Sequence, residues 1–213
     1  MISTVQNGDA DYTGIPVSRC TGITGAILAG GRSSRMGTDK ALLQIGGIPL
    51  IQRVRDIMSV LFPHLILITN TPDCYRFLGI PMAGDLYPGE GSLAGIHAAL
   101  SHAPTDLVFV VACDMPYISP AVVRHLCGLT DGRDAVVPGS PDGIEPLHAI
   151  YRRSCLPVME QMLGRGEKRI RDLLNQVETC RLSWDELSGL PGARQSFLNL
   201  NTPQEFATVL QEL

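Results

Sequence analysis

Gly25 to Leu42 reads GAILAGGRSSRMGTDKAL. Its opening continues an apolar run that starts at Ile23 and ends in Gly30 and Gly31, the pattern of a buried strand entering a loop. Arg32, Arg35 and Lys40 follow among hydroxyl-bearing residues. Glycines let backbone N–H groups approach an anion with no Cβ in the way. Arginine adds paired contacts, and lysine adds a point charge. A glycine turn flanked by solvated cations has the same composition. The two commonest phosphate loops do not fit. A Walker loop requires G-x-x-x-x-G-K-[ST], but Gly31 and Gly37 stand one residue too far apart and Lys40 follows no glycine. The fingerprint G-x-G-x-x-G is also missing. GEGSLAG, Gly89 to Gly95, approaches it, but no apolar strand precedes it.

Outward from this stretch, strand and helix patterns alternate. Apolar residues at Leu50, Val54, Ile57, Met58 and Leu61 line one face of a helix over Pro49 to Leu61. LILIT, Leu65 to Thr69, and LVFVVA, Leu107 to Ala112, are apolar almost throughout, as strands covered on both faces are. Leu93, Ile96, His97 and Leu100 mark a helix between them. Ser119 and Pro120 form a helix start, with Gly128 at its end. Further on, Ala135–Pro138, His148–Tyr151 and Phe197–Leu200 read as strands. Ser154–Leu163 and Arg169–Asn175 read as helices, and a capping box at Thr202 opens a last one. The expected fold class is α/β: one doubly wound, Rossmann-like domain with a mostly parallel sheet. Such sheets bind ligands at the carboxyl ends of their strands, which is where the opening stretch would lie.

Composition narrows the function. The chain has 213 residues, 45% hydrophobic and 18% charged, with a net charge of −4. No basic stripe suggests a nucleic-acid partner, and no apolar run has the length of a membrane span. Six cysteines without a C-x-x-C pair argue for free thiols in a reducing cytoplasm rather than for zinc or disulfides. Residues 1–22 lack the features of a signal peptide and read as a tail ahead of a domain over 23–213.

Two carboxylates carry the chemistry. Asp114, in ACDMPYI, stands just past an apolar strand, and Mg²⁺ needs only one or two such carboxylates besides phosphates and water. Asp85, in GDLYPGEG, lies at another strand-to-loop junction. An N-cap and an ordinary turn are the structural alternatives. His97, on an apolar helical face, fits a core residue better than a base. Cys113 fits a packed thiol at a strand end, and Trp184 fits a loop anchor.

LAGGRSSRMGTDKAL, Leu28 to Leu42, resembles the signature of the GT-A-like nucleotidyltransferases (the nucleotide-diphospho-sugar transferase fold). It is most similar to the molybdenum cofactor guanylyltransferases, with their L-A-G-G-x-S-x-R-M-G-x-D-K. ITN at Asn70, GDLYPGEGSLAGI, ACDMPYI and LNLNTPQE follow in the family's order, so the resemblance runs from Ile23 to the C-terminus. Ser92 stands where the family has proline, which bears on loop stiffness. The resemblance implies transfer of GMP from GTP to the terminal phosphate of molybdopterin, with Mg²⁺ or Mn²⁺ as cofactor. Leu28, Ala29, Gly30 and Gly31 would contact GTP through the backbone, and Arg35 and Lys40 would bind its phosphates. Asn70 and Asp85 would hold base or ribose, Asp114 the metal and the α-phosphate, and Asn199 or Asn201 the metal or product. Cofactor-assembly proteins or apo-molybdoenzymes are the implied recipients.

GRGEKRIRDLL adds Arg165, Lys168, Arg169 and Arg171. Lys168 and Arg169 are candidate ligands of the acceptor phosphate, and a solvated helix start is the alternative. EPLHAIY, Glu145 to Tyr151, is a candidate lining of the same pocket. Two other functions keep the same loop. One is a related nucleotidyltransferase using CTP or another acceptor, such as a sugar or alcohol phosphate. Pyrimidine users in the family tend to carry alanine at the glycine pair, which favours GTP here. The other is a non-catalytic nucleotide-binding module, which would be expected to have lost Asp114 or Lys40.

Overall fold

A computed structural model describes residues 20–30 and 39–200. Strand β1 (Ile23–Leu28) is buried along its whole length. It pairs in parallel with β4 (His64–Ile68) on one side and β6 (Leu107–Ala112) on the other. Alternation sends Ile27, Leu67, Phe109 and Val111 to one face of the sheet. Ala26, Leu28, Ile66, Ile68, Val108 and Val110 go to the other. Both faces are covered, which is why these strands read as continuous apolar runs.

Helix α1 (Leu50–Leu61) buries Leu50, Ile51, Val54, Met58 and Leu61. It follows a short hairpin of β2 (Gln44–Ile45) and β3 (Ile48–Pro49). It stops at Phe62, which is extended because Pro63 disfavours helical backbone at the residue before it. Gly25 lies under this helix. A Cβ there would come within 2.8 Å of Met58, Phe62 and Leu65 together. Beyond β4 comes β5 (Met82–Ala83), parallel to it, then α2 (Ser92–His102) on the opposite face. Helix α3 (Pro120–Cys127) starts as its sequence demands, with the Ser119 hydroxyl accepting from Val122 N at 3.3 Å and Pro120 in the first turn.

The second half contains β7 (Ala135–Ser140), β8 (Gly143–Ile144), β9 (His148–Arg152) and β10 (Thr179–Leu182). Its helices are α4 (Leu156–Gly164), α5 (Ile170–Leu173), α6 (Trp184–Leu187) and α7 (Ala193–Ser196). Sheet order is β10-β7-β9-β6-β1-β4-β5, with β8 paired to β7. The expected α/β class is therefore present, with a mostly parallel sheet. Strand β9 runs antiparallel to both β6 and β7. The few residues between β7 and β9 are too short for a parallel crossover, which takes a dozen or more.

Two expectations change. Phe197–Leu200 is not a strand. Phe197 closes α7, and among the described residues Leu200 makes one backbone bond, from its N to Asp114 O at 3.0 Å. A buried ring at Phe197, packed edge-on against His148, supplies the apolar pattern that resembled a strand. Within the expected tail, Cys20 is 1% exposed, and its thiol donates to Cys127 Sγ at 3.2 Å. The packed domain thus begins by Cys20. The Thr202 capping box lies outside the described residues.

Candidate active site

Strands β5, β4, β1 and β6 are adjacent and parallel, so their carboxyl ends share one edge. Along it, in spatial order, stand Asp85, Asn70, the Leu28-Ala29-Gly30 turn and Asp114. No local sequence signal brings these segments together. The strand ladder does, and it continues past the strands through Ala29 N to Ile68 O at 2.9 Å and Cys113 N to Leu28 O at 3.2 Å.

Asn70 and Asp85 form a closed pair. Asn70 Nδ2 donates to Asp85 Oδ2 at 3.1 Å, and Asp85 N donates to Asn70 Oδ1 at 2.9 Å. Partial burial raises the Asp85 pKa, opposed by the bond from Asn70. The same loop runs on to Gly91, whose φ of +76° fits the residue to the cap of α2. That helix has no acidic residue in its first turn, so its N–H groups leave positive potential at the loop.

Asp114 is half-buried, and burial raises its pKa, opposed by its backbone hydrogen bonding and then by the charge of Lys40. The charge of Lys40, on a loop that starts on the neighbouring strand, thus reaches Asp114. Its backbone opens the short 3-10 turn Lys40–Leu42, which Asp39 caps by accepting from Ala41 N at 3.1 Å. The other carboxylate oxygen of Asp39 accepts from the hydroxyl of Tyr75, which is 2% exposed in the 3-10 segment Pro72–Leu78. Asp39 and Tyr75 fix the end of the loop, and the sequence reading passed over both. Asp39 stands beside Lys40 in the signature, but nothing local reports that a tyrosine 36 positions on reaches it.

At Gly30 an added Cβ would meet no atom of the described residues within 4 Å. The fold itself does not require glycine there. Gly31 and Arg35 lie outside the described residues.

The segment after α6 returns to this edge. Ser119 N donates to Ser196 Oγ at 2.9 Å, and Ser119 Oγ donates to Pro191 O at 2.6 Å. Ser196 Oγ also lies 3.2 Å from Nε2 of His148, a residue packed between Phe109 and Phe197. Full burial pushes the His148 pKa down to about 3, so the ring is neutral. These contacts and the Leu200 bond set Asn199 beside the main chain of Asp114, while Asn201 lies outside the described residues. Lys168 pairs with Glu90 of the Asp85 loop at 2.8 Å. Arg169 is exposed at the cap of α5, and its side chain makes no cap bond. His97 is buried as expected, its Nε2 3.4 Å from Glu160. The Cys113 thiol is pushed up by burial, the behaviour of a packed thiol and not of a nucleophile.

A mostly parallel sheet whose central strands end together on one edge is the fold of the GT-A-like nucleotidyltransferases. The family described as MobA-like NTP transferase domain matches residues 25–180. A probable molybdenum cofactor guanylyltransferase of Carboxydothermus hydrogenoformans is 38% identical over 89% of this chain and 95% of its own. Another, from Pelotomaculum thermopropionicum, is 37% identical over 85% and 89%. The crystal structure of molybdopterin-guanine dinucleotide biosynthesis protein A from Archaeoglobus fulgidus superposes with a TM-score of 0.76. It is 30% identical and is matched over 89% of this chain and 97% of that one. The chain belongs to the MobA-like NTP transferases and, among them, to the molybdenum cofactor guanylyltransferases. It is therefore a nucleotidyltransferase.

Proposed function

We propose that the protein transfers GMP from GTP to the terminal phosphate of molybdopterin, in its molybdenum-loaded form, giving molybdopterin guanine dinucleotide and pyrophosphate. The observation that carries this reading is the half-buried Asp114, within electrostatic reach of Lys40 and one strand away from the Gly30 turn.

The acceptor phosphate is already ionised, so no protein nucleophile or base is required. Its oxygen attacks the α-phosphorus of GTP. The bond from that phosphorus to the oxygen bridging to the β-phosphate breaks, and pyrophosphate leaves with the electron pair. The barrier lies in aligning two polyanions. Backbone N–H groups of Leu28 to Gly31 hold the nucleotide, Lys40 and Arg35 neutralise its phosphates, and Asn70 and Asp85 orient base or ribose. Asn199 or Asn201 completes the metal or product side. Lys168 and Arg169 are assigned to the acceptor phosphate, with Lys168 paired to Glu90 of the Asp85 loop in the absence of that phosphate.

A divalent cation fits Asp114. The described residues hold no cluster of three or more His, Cys, Asp or Glu groups that would cage an ion. They do offer a half-buried carboxylate at the edge, a hard oxygen donor of the kind Mg²⁺ or Mn²⁺ shares with phosphates and water. When bound, the ion would neutralise charge on the triphosphate and the leaving group.

The open position at Gly30 supports a purine over the smaller pyrimidine of CTP. Pyrophosphate release, measured with each of the four nucleoside triphosphates and molybdopterin, with and without Mg²⁺, tests the reading. We expect release with GTP only. Preference for CTP overturns the base, and absence of release with molybdopterin overturns the acceptor. The reading places the reaction in the cytoplasm, with handover of the labile product to cofactor-assembly proteins or apo-molybdoenzymes. It also assigns catalysis to residues from Ile23 onward, with most of the segment before it dispensable. No helix among the described residues is long and apolar enough to cross a membrane.

A further inference from the structure

Two of the six cysteines stand together. Cys20, in the turn that leads into β1, is 1% exposed, and Cys127, the last residue of α3, is 6% exposed. Their sulfurs lie 3.2 Å apart, across 107 positions of chain. Closing the S–S bond of a disulfide takes an approach of about 1.2 Å from there. No other two cysteines are hydrogen-bonded to each other among the described residues. Cys74 is exposed, Cys155 donates to Asp134 O at 3.4 Å, and Cys113 and Cys180 are partly buried.

Where the pair sits matters as much as its distance. Cys20 and Cys127 bracket β1 to β6 and α1 to α3, the half of the molecule that carries the Gly30 turn, Asn70, Asp85 and Asp114. Cys20 precedes β1, so it stands at the amino edge of the parallel strands, opposite the candidate site, and Cys127 meets it there. Thr21, Gly22 and Gly128 beside them are exposed. Turns and helix ends open more readily than the core. A small oxidant therefore reaches both sulfurs through one local opening, without unfolding of the domain.

The two thiols are also unequal. Once Cys20 is a thiolate, Cys127 donates to it, and this lowers the Cys20 pKa against the effect of burial. The bond to Cys20 and burial hold the Cys127 thiol high, and the charge of buried Arg124 opposes them. Cys20 is the attacking sulfur and Cys127 the resolving one.

We propose that Cys20 and Cys127 are an oxidation site for hydroperoxides, closing into a reversible disulfide that staples the nucleotide-binding half of the molecule into a covalent ring. The Cys20 thiolate attacks one oxygen of hydrogen peroxide. The O–O bond breaks, and the hydroxide that leaves takes up the proton given by Cys20, forming water. Cys20 is then a sulfenic acid. The Cys127 sulfur attacks the Cys20 sulfur, the S–O bond breaks, and the departing hydroxide takes the Cys127 proton as a second water. Two thiols are oxidised to one disulfide and one peroxide is reduced to two waters. A dithiol reverses the step by exchange. The ring closes on the edge away from the site, so it restrains the unfolded chain without touching the nucleotide residues.

The full chain treated with graded hydrogen peroxide, blocked with iodoacetamide in denaturant and digested without reduction tests this. Mass spectrometry should find a peptide that joins Cys20 to Cys127, two hydrogens lighter than its parts and absent after dithiothreitol. The oxidised chain should unfold roughly 5–15 °C above the reduced one. Cys20→Ser and Cys127→Ser should each abolish the crosslink and the shift, whereas Cys74→Ser should keep both. Exposed Cys74 reports that enough oxidant was present. If Cys74 is oxidised while Cys20 and Cys127 are recovered on separate peptides, the site is overturned. A crosslink that leaves the unfolding temperature unchanged overturns the staple.

Discussion

Asp114 is held where its own charge is disfavoured. Burial raises its pKa, so the carboxylate is kept at the edge at a cost in stability. Asp114→Asn should therefore leave the unfolding midpoint unchanged or slightly raised. On the proposed reading it should lower turnover by about 100-fold or more, a loss of the size seen when one preorganised charge partner is removed. Thermal unfolding alongside pyrophosphate release separates the two effects. Gly30→Ala sharpens the contrast, because its Cβ meets no atom of the described residues. Stability should be unchanged within about 0.5 kcal/mol, and the GTP KM should rise. His148 belongs to the fold instead. Its pKa falls from 6.5 to about 3 on burial, so between those values the unfolded chain binds the extra proton. Its contribution is complete above about pH 6.5 and is lost as pH falls toward 3, by up to about 1.4 kcal/mol per unit. His148→Phe should flatten the acid limb of the stability profile in denaturant titrations over that window.

At the scale of elements, the site is a set of strand ends joined by a few side-chain ties. Asn70 with Asp85, Asp39 with Tyr75, and Ser196 with Ser119 and His148 each fix one segment to the edge. Ser196 is the most exacting, since it lies fully buried between a backbone donor and an imidazole. Ser196→Ala leaves Ser119 N without an acceptor and should cost about 1–3 kcal/mol. It should also loosen the segment that sets Asn199 and Leu200 against Asp114, lowering turnover more than nucleotide affinity, as equilibrium unfolding and steady-state kinetics would show. The elements that were legible in the sequence are those with a period. The runs at Ile23, Leu65 and Leu107 and the capped helix at Ser119 needed only local pattern. Phe197–Leu200 was misread because a buried ring and a buried leucine spaced along a loop mimic a short strand. The reversed β9 was also not evident, since direction depends on connection length and on which neighbour the strand finds.

For the whole molecule, the nucleotide assignment falls on the half of the sheet edge where β5, β4, β1 and β6 end. A ligand that binds only the folded chain stabilises it by mass action, about 2.7 kcal/mol at a hundredfold excess over its Kd. GTP with Mg²⁺ should therefore raise the melting temperature, and CTP at the same concentration should raise it less. Equal shifts would remove the base preference. The sequence by itself determined the α/β class, the long central strands and the first helices, and the residue types at their ends, because hydrophobic period and turn chemistry are local. Its glycine-and-cation signature also marked the family. Only the tertiary structure decided that Asp85, Asn70, Gly30 and Asp114 share one edge, that Tyr75 secures Asp39, and that Lys168 pairs with Glu90. Those pairings join residues far apart in the chain, and strand order and register, which no local pattern encodes, bring them together.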